Sequence, residues 1–397
     1  MFKNILILGL MCTILTAQSS QSGSQIDFDT FLRKALLKSP YLAASSLSIS
    51  QAKEIGASLT RYENPNLELE YSSFNPQIGN TEDGYRLNYS QAIRLWGVGD
   101  DKELLSKNIL KSASSQHSLK KALFIRSIAL SFTDYSEQKM LLILGEEELS
   151  IAQKIYDISQ ARYDSGTISK ALLLQSKIDY ELIEIQNSAL SLRTTHSYYE
   201  LLKFAGIDEE LNLNTAHIFT TELHTQSSKN PTLKALQAHK QESLSEAQVN
   251  SNTVEWINLT AEYESEPGQD IARVGISFPL ALFNTKAQEK KIATLEASRS
   301  QLLIDNEKKI LNIESKRLLK ERGELKNLLF KNRQLLMSEL QLLEMFQDGY
   351  KISNINLLQL QDIKNKMIST KRTIIELTRE LNQNAIILNY NQGKYND

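Results

Sequence analysis

The chain has 397 residues with 45 basic and 47 acidic side chains, a net charge of -2, and no basic block of the kind that marks a nucleic-acid-binding protein. Fifteen glycines and six prolines fall well below ordinary usage, so long uninterrupted helices are expected. A single cysteine excludes an intrachain disulfide.

Lys3, the apolar run over residues 5–17 and the small polar stretch after it predict a secretory signal peptide over residues 1–19. Cleavage is expected before Ser20, with a cut after Ala17 as the second possibility. Cys12 lies inside the apolar run behind Gly9-Leu10-Met11, a poor lipoprotein processing signal, so the mature chain is expected to lack cysteine. Of the charged residues the leader removes Lys3 alone, leaving 44 basic against 47 acidic residues. No later segment holds the roughly eighteen consecutive apolar residues of a transmembrane helix. Insertion into a membrane would therefore require β-strands.

Residues 20–204 read as the first of two similar units. Ser39 followed by Pro40 is an N-cap with proline at the first helical position, and it opens a helix of about twenty residues. Alternating segments follow at about 66–74 and 84–95. Leu67, Leu69 and Tyr71 point one way and Glu68, Glu70 and Ser72 the other, and the partner segment divides Tyr85, Leu87 and Tyr89 from Arg86, Asn88 and Ser90. A proline-free helix is predicted over about 100–164, a turn at Gly166, and a return helix over about 169–204. Residues 205–230 form a belt linker between the halves.

The second unit, 231–397, repeats this order. Asn230-Pro231 opens a helix, strands are expected at about 255–264 and 271–282, and a second long helix runs over about 285–348. On that helix Ile304, Leu311, Leu318 and Leu325 recur at seven-residue steps, and a four-residue step leads to Leu329, Leu336 and Leu343: a coiled-coil seam with one stutter. A turn near Gly349 precedes a return helix over about 355–392. Four features recur in the same order: Pro40 against Pro231, Glu70-Tyr71 against Glu262-Tyr263, Arg86 against Arg273, and Ile168-Ser169 against Ile352-Ser353. Their offsets of 191, 192, 187 and 184 residues point to a tandem duplication.

Four strands cannot close a membrane barrel, whose smallest examples have about eight, so the chain is expected to oligomerise. A dimer would give a side-chain-filled barrel and a trimer a twelve-stranded pore.

With its Lys38-Ser39-Pro40 opening, paired hairpins, the stretch from Ser277-Phe278-Pro279-Leu280 to Asn284, and two glycine-containing tips, the chain resembles the TolC-type outer membrane factor family. The resemblance covers essentially the whole mature sequence. It implies a mostly α-helical chain with membrane β-strands. Three copies would form a twelve-stranded outer-membrane β-barrel continuous with a periplasmic α-helical barrel. It also implies an exit channel for efflux or type I secretion, working with a periplasmic adaptor protein and an inner-membrane pump or transporter and contacting outer-membrane lipid. The tip turns would be formed by Gly166, Ser169, Gly349 and Ser353.

In several family members a carboxylate ring constricts the tunnel just beyond the second turn. The matching positions here are Asn356 and Gln359, a departure from that pattern. The first acidic residue beyond them is Asp362, and Gln175 and Asp179 occupy comparable places in the first half. No enzyme is expected: the five histidines, at 117, 196, 217, 224 and 239, lack metal-ligand spacing, no phosphate-cradling or nucleophile motif is present, and no cofactor is called for. The second reading is a soluble periplasmic coiled-coil adaptor or scaffold whose hairpins build a small sheet domain.

Overall fold

The structure, a computed structural model, describes residues 25–75, 77–221 and 229–395. The expected signal peptide lies outside these residues. In chain order the elements are α1 (Phe28–Lys38), α2 (Pro40–Thr60), β1 (Asn66–Phe74), β2 (Glu82–Arg94), α3 (Val98–Asp164) and α4 (Lys170–Ala205). The second half contributes α5 (Pro231–Val249), β3 (Trp256–Glu266), β4 (Gln269–Ser277), α6 (Ala287–Lys351) and α7 (Leu357–Asn391).

Local chemistry sets the boundaries. The Asp27 carboxylate accepts from Thr30 N to start α1, and Ser39 ends that helix while its hydroxyl caps α2 ahead of Pro40. Asn230 does the same for α5, its side-chain oxygen accepting from Thr232 N and Leu233 N. Strand β4 stops at Ser277, short of the expected 282, because Pro279 has no N–H to offer a ladder. Helix α1 was not anticipated. It is only 11 residues long and buries Phe28, Phe31 and Ala35, spaced as one helical face.

The four strands form one antiparallel sheet in the order β1-β2-β3-β4. Glu70 stands opposite Arg86 in the first hairpin and Glu262 opposite Arg273 in the second, so the duplication extends to strand register. Polar side chains pair on one face: Arg86 with Glu70, and Arg273 with both Glu262 and Glu264. The other face is apolar and uncovered, with Leu69 at 75% and Val274 at 87% exposure. At the helical end of the sheet Trp96 and Phe283 are almost fully exposed.

Below the sheet the helices form a single layer. Helix α3, 67 residues and about 100 Å long, packs α2 and α4 and also α5 and α7; α6, of 65 residues, packs α5 and α7. Each long helix is thus matched by two short ones end to end. Ile304, Leu311, Leu318, Leu325 and Leu343 are all buried along α6, each contributing about 2 kcal/mol of apolar burial.

Around the middle of the layer, α1 and residues 206–221 lie across one face. Their core joins Phe28, Phe31 and Phe219 to Phe132 of α3 and Ile386 of α7. The Phe28 ring stands 4.9 Å from Phe132 and 4.8 Å from Phe219. Phe219 N donates to Asn382 Oδ1 (3.0 Å), and Asn389 Nδ2 donates to the Thr220 carbonyl (2.9 Å), which ties this belt to α7.

Candidate channel tip and assembly surfaces

The end of the layer farthest from the sheet is made by two turns. After α3, Gly166 takes a left-handed conformation (φ 74°), Thr167 N bonds back to the Arg162 carbonyl (2.8 Å), and Ser169 caps α4. After α6 the left-handed residue is Ser353 (φ 68°), and Asn356 caps α7. Gly349 therefore does not make the second turn. It lies within α6, where a Cβ would fall 2.5 Å from Ile355 Cγ1, so glycine is required for the close approach of the returning chain.

Gly166 and Ser353 stand 187 residues apart, as do the caps Ser169 and Asn356. The tips thus correspond at 187 residues, not at the 184 suggested by the Ile-Ser match, and Gln175 is the counterpart of Asp362. Ser353→Gly should relieve backbone strain of about 1 kcal/mol, visible as a higher thermal midpoint, whereas Gly166→Ser should lower it.

Asn356 and Gln359 form a reciprocal capping box: Asn356 N donates to Gln359 Oε1 (3.1 Å) and Gln359 N to Asn356 Oδ1 (2.8 Å). Their side chains hold the start of α7. Asp362 is exposed one turn further and pairs with Lys366 at 2.7 Å. It begins an exposed stripe on α7 that continues through Asn365, Ser369, Arg372, Glu376 and Glu380. The belt meets this helix farther from the tip, through Asn382, Ile386 and Asn389.

Several links between the two halves, none of them anticipated, tie the tip together, two of them through buried side chains. The Tyr350 side chain is buried, its hydroxyl 2.9 Å from Ser159 Oγ; the Arg162 guanidinium lies 4.6 Å from its ring and donates to its carbonyl (3.0 Å). Lys364, fully buried on α7, bonds Asp179 of α4 at 2.7 Å. Gln175 Nε2 reaches Gln361 Oε1 (3.4 Å), and Lys371 holds Glu147 of α3 at 2.5 Å. These partners are about 185 to 225 residues apart, so no local pattern marks them.

Burial raises the Glu148 carboxyl above its ordinary value of 4.5, opposed by the nearby charges of Lys364 and Arg372. A raised folded-state value means that the ionised form is disfavoured in the fold. Its relative stabilisation is full below 4.5 and is lost as pH rises through the folded value. Glu148→Gln is accordingly expected to raise the thermal midpoint at pH 7 and to make little difference below pH 4.5, as melts across that range would show.

The outer helix of each half presents an unpartnered apolar surface. On α4, Ile178, Ile185, Leu192 and Tyr199 recur at seven-residue steps with Leu182 between them, and all are at least 50% exposed. This is a coiled-coil seam without a partner among the described residues. Helix α6 exposes Leu328, Leu335 and Met345 at the same depth.

Among the described residues, no helix is long and apolar enough to cross a membrane, and no three His, Cys, Asp or Glu side chains are grouped to hold a metal ion.

A four-stranded sheet with one apolar face, standing on a layer of paired long helices about 100 Å deep, is the fold of TolC-type outer-membrane channels. Three solved structures illustrate the likeness. The outer-membrane channel OprN matches at a TM-score of 0.77 with 12% identity, over 93% of this chain and 90% of its own. The outer membrane protein VceC of Vibrio cholerae matches at 0.74 with 14% identity, over 92% and 95%. CusC, a protein that forms a transmembrane channel, matches at 0.75 with 16% identity, over 92% and 91%. No protein-family model matches the sequence, and no curated protein matches it.

Proposed function

We propose that the chain is the outer-membrane channel subunit of an efflux or type I secretion assembly, a passive, non-catalytic exit tunnel built from three copies. The observation that supports this most is the open sheet: among the described residues both edge strands, β1 and β4, lack a partner while the outward face is apolar. In lipid each unpaired backbone group costs several kcal/mol, so edges must be joined between copies. Twelve strands leave room for a pore where eight do not. The exposed seams of α4 and α6 lie at opposite sides of the helical layer, as closure of a helical tube requires.

In this reading the exposed α7 stripe beginning at Asp362 is assigned to the lumen near the tip. The tip is then the closed end, built around Gly166, Ser169, Gly349 and Ser353. A periplasmic adaptor would dock there and couple the channel to an inner-membrane pump. Export with removal of residues 1–19 would deliver the chain to the outer membrane. The soluble-adaptor reading leaves the exposed apolar sheet face and the rim at Trp96 and Phe283 without a role.

Planar-bilayer recording of the purified chain tests the proposal, with discrete conductance steps expected. Asp362→Asn should lower cation preference and the blocking affinity of multivalent cations, because it removes three carboxylates at one level and leaves their Lys366 partners uncompensated. Glu314→Gln, midway along α6, should change neither. A chain that partitions into the aqueous phase and produces no steps would overturn the channel reading.

A further inference from the structure

Between α3, α5 and α6, on the sheet side of the belt, lies a cleft of about 590 Å³. Four lysines, Lys111, Lys234, Lys240 and Lys308, line it together with glutamines, and no acidic residue does. Lys240 donates to Gln301 (2.8 Å). Among the described residues, Lys111, Lys234 and Lys308 have no carboxylate at ion-pair distance. Four cations gathered with no carboxylate among the lining residues repel one another, with Asp305 held behind Gln301 (2.9 Å) as a partial counter-charge, and an anion entering the cleft relieves that repulsion.

The face follows from helical spacing. Lys111 stands three heptads before Phe132 and Ser115 two before Ala129, and both Phe132 and Ala129 belong to the belt core. The cleft therefore opens on the belt side of the layer, the outside of the tube. Lys111 lies 13 residues beyond the start of α3 and Lys308 21 beyond the start of α6, which puts the cleft roughly 20 to 30 Å below the sheet. Headgroups of a bilayer around the sheet do not reach that depth. Gln237 and Gln241 add amide donors and acceptors beside the ammonium groups.

We propose that this cleft binds carboxylate-bearing, amide-rich chains of the kind found in the peptide stems of the bacterial wall polymer, which anchors the channel at this depth of the periplasm. The assignment of the ligand rests on the outer-membrane reading above.

The test uses the full mature chain in detergent, titrated with a soluble disaccharide-tetrapeptide wall fragment by calorimetry. Salt-sensitive binding is expected, with Kd rising about tenfold or more in the triple variant Lys111→Gln, Lys234→Gln, Lys308→Gln. A fragment with amidated carboxyls should bind as weakly to the wild type. Absence of wild-type binding, or equal affinity in the triple variant, overturns the proposal. So does loss of affinity confined to phosphatidylglycerol nanodiscs, which would assign the lysines to lipid phosphate. Conductance of the triple variant should equal that of the wild type, since the cleft lies outside the lumen. A wild type that binds the fragment but never conducts would contradict the channel reading and leave the cleft assignment standing.

Discussion

Leu192→Asp is expected to leave the purified chain monomeric in detergent. Leu192 sits at the centre of the α4 seam, 72% exposed in the single chain and in register with Ile178, Ile185 and Tyr199 at seven-residue steps. If that seam meets α6 of the next copy, each of three interfaces would bury an unpaired carboxylate at a cost of about 2–4 kcal/mol, multiplied around the ring. Fold and seam can be separated, because in the isolated chain the new charge points into water. Far-ultraviolet circular dichroism should match the wild type while size-exclusion light scattering reports one copy. Leu192→Met, which preserves apolar volume, should assemble normally. A Leu192→Asp chain that still trimerises would move the interface away from α4.

Lys364→Ala is expected to loosen the tip and raise single-channel conductance several-fold. Lys364 has no solvent exposure and is the cation that joins α7 to Asp179 of α4. Removing it leaves Asp179 without its partner and Glu148 with one fewer neighbouring charge, a loss of about 3 kcal/mol concentrated where the return helices meet. An apolar pair in the same place, Lys364→Met with Asp179→Leu, should recover much of the thermal stability without restoring the directed ion pair. Conductance measured alongside the thermal midpoint distinguishes a latch from simple packing. A Lys364→Ala channel with wild-type conductance and a lowered midpoint would make the pair structural only.

The fold was legible where physics is local and repeated. The alternation of Leu67, Glu68, Leu69 and Glu70, the proline-capped helix starts and the seven-residue steps of α6 each express a single period, and duplication let one half check the other. Legibility failed where a boundary depends on one atom or a contact spans the chain. Pro279 ends β4 by lacking an N–H although the alternating pattern continues beyond it. The Ile168-Ser169 and Ile352-Ser353 match is a coincidence of composition, because Ser353, not a glycine, takes the left-handed position equivalent to Gly166.

The tip illustrates the same limit. Asn356 and Gln359 were recognisable as polar residues just beyond a turn, but the capping box that engages them depends on which residue is the N-cap. Asp362 could be found from sequence as the first acid beyond the turn. Its position on an exposed stripe of α7 required the packing of that helix against α3 and α6. The lysine cleft draws one face from each of three helices, so no sequence window contains it.

Native mass spectrometry of the detergent-extracted protein tests the central claim most directly, because a four-stranded sheet with two free edges must find partners before it can enclose a pore. The account predicts a single species of three mature chains, extracted only with detergent and each beginning after the 1–19 segment. A stable monomer obtained without detergent would contradict it.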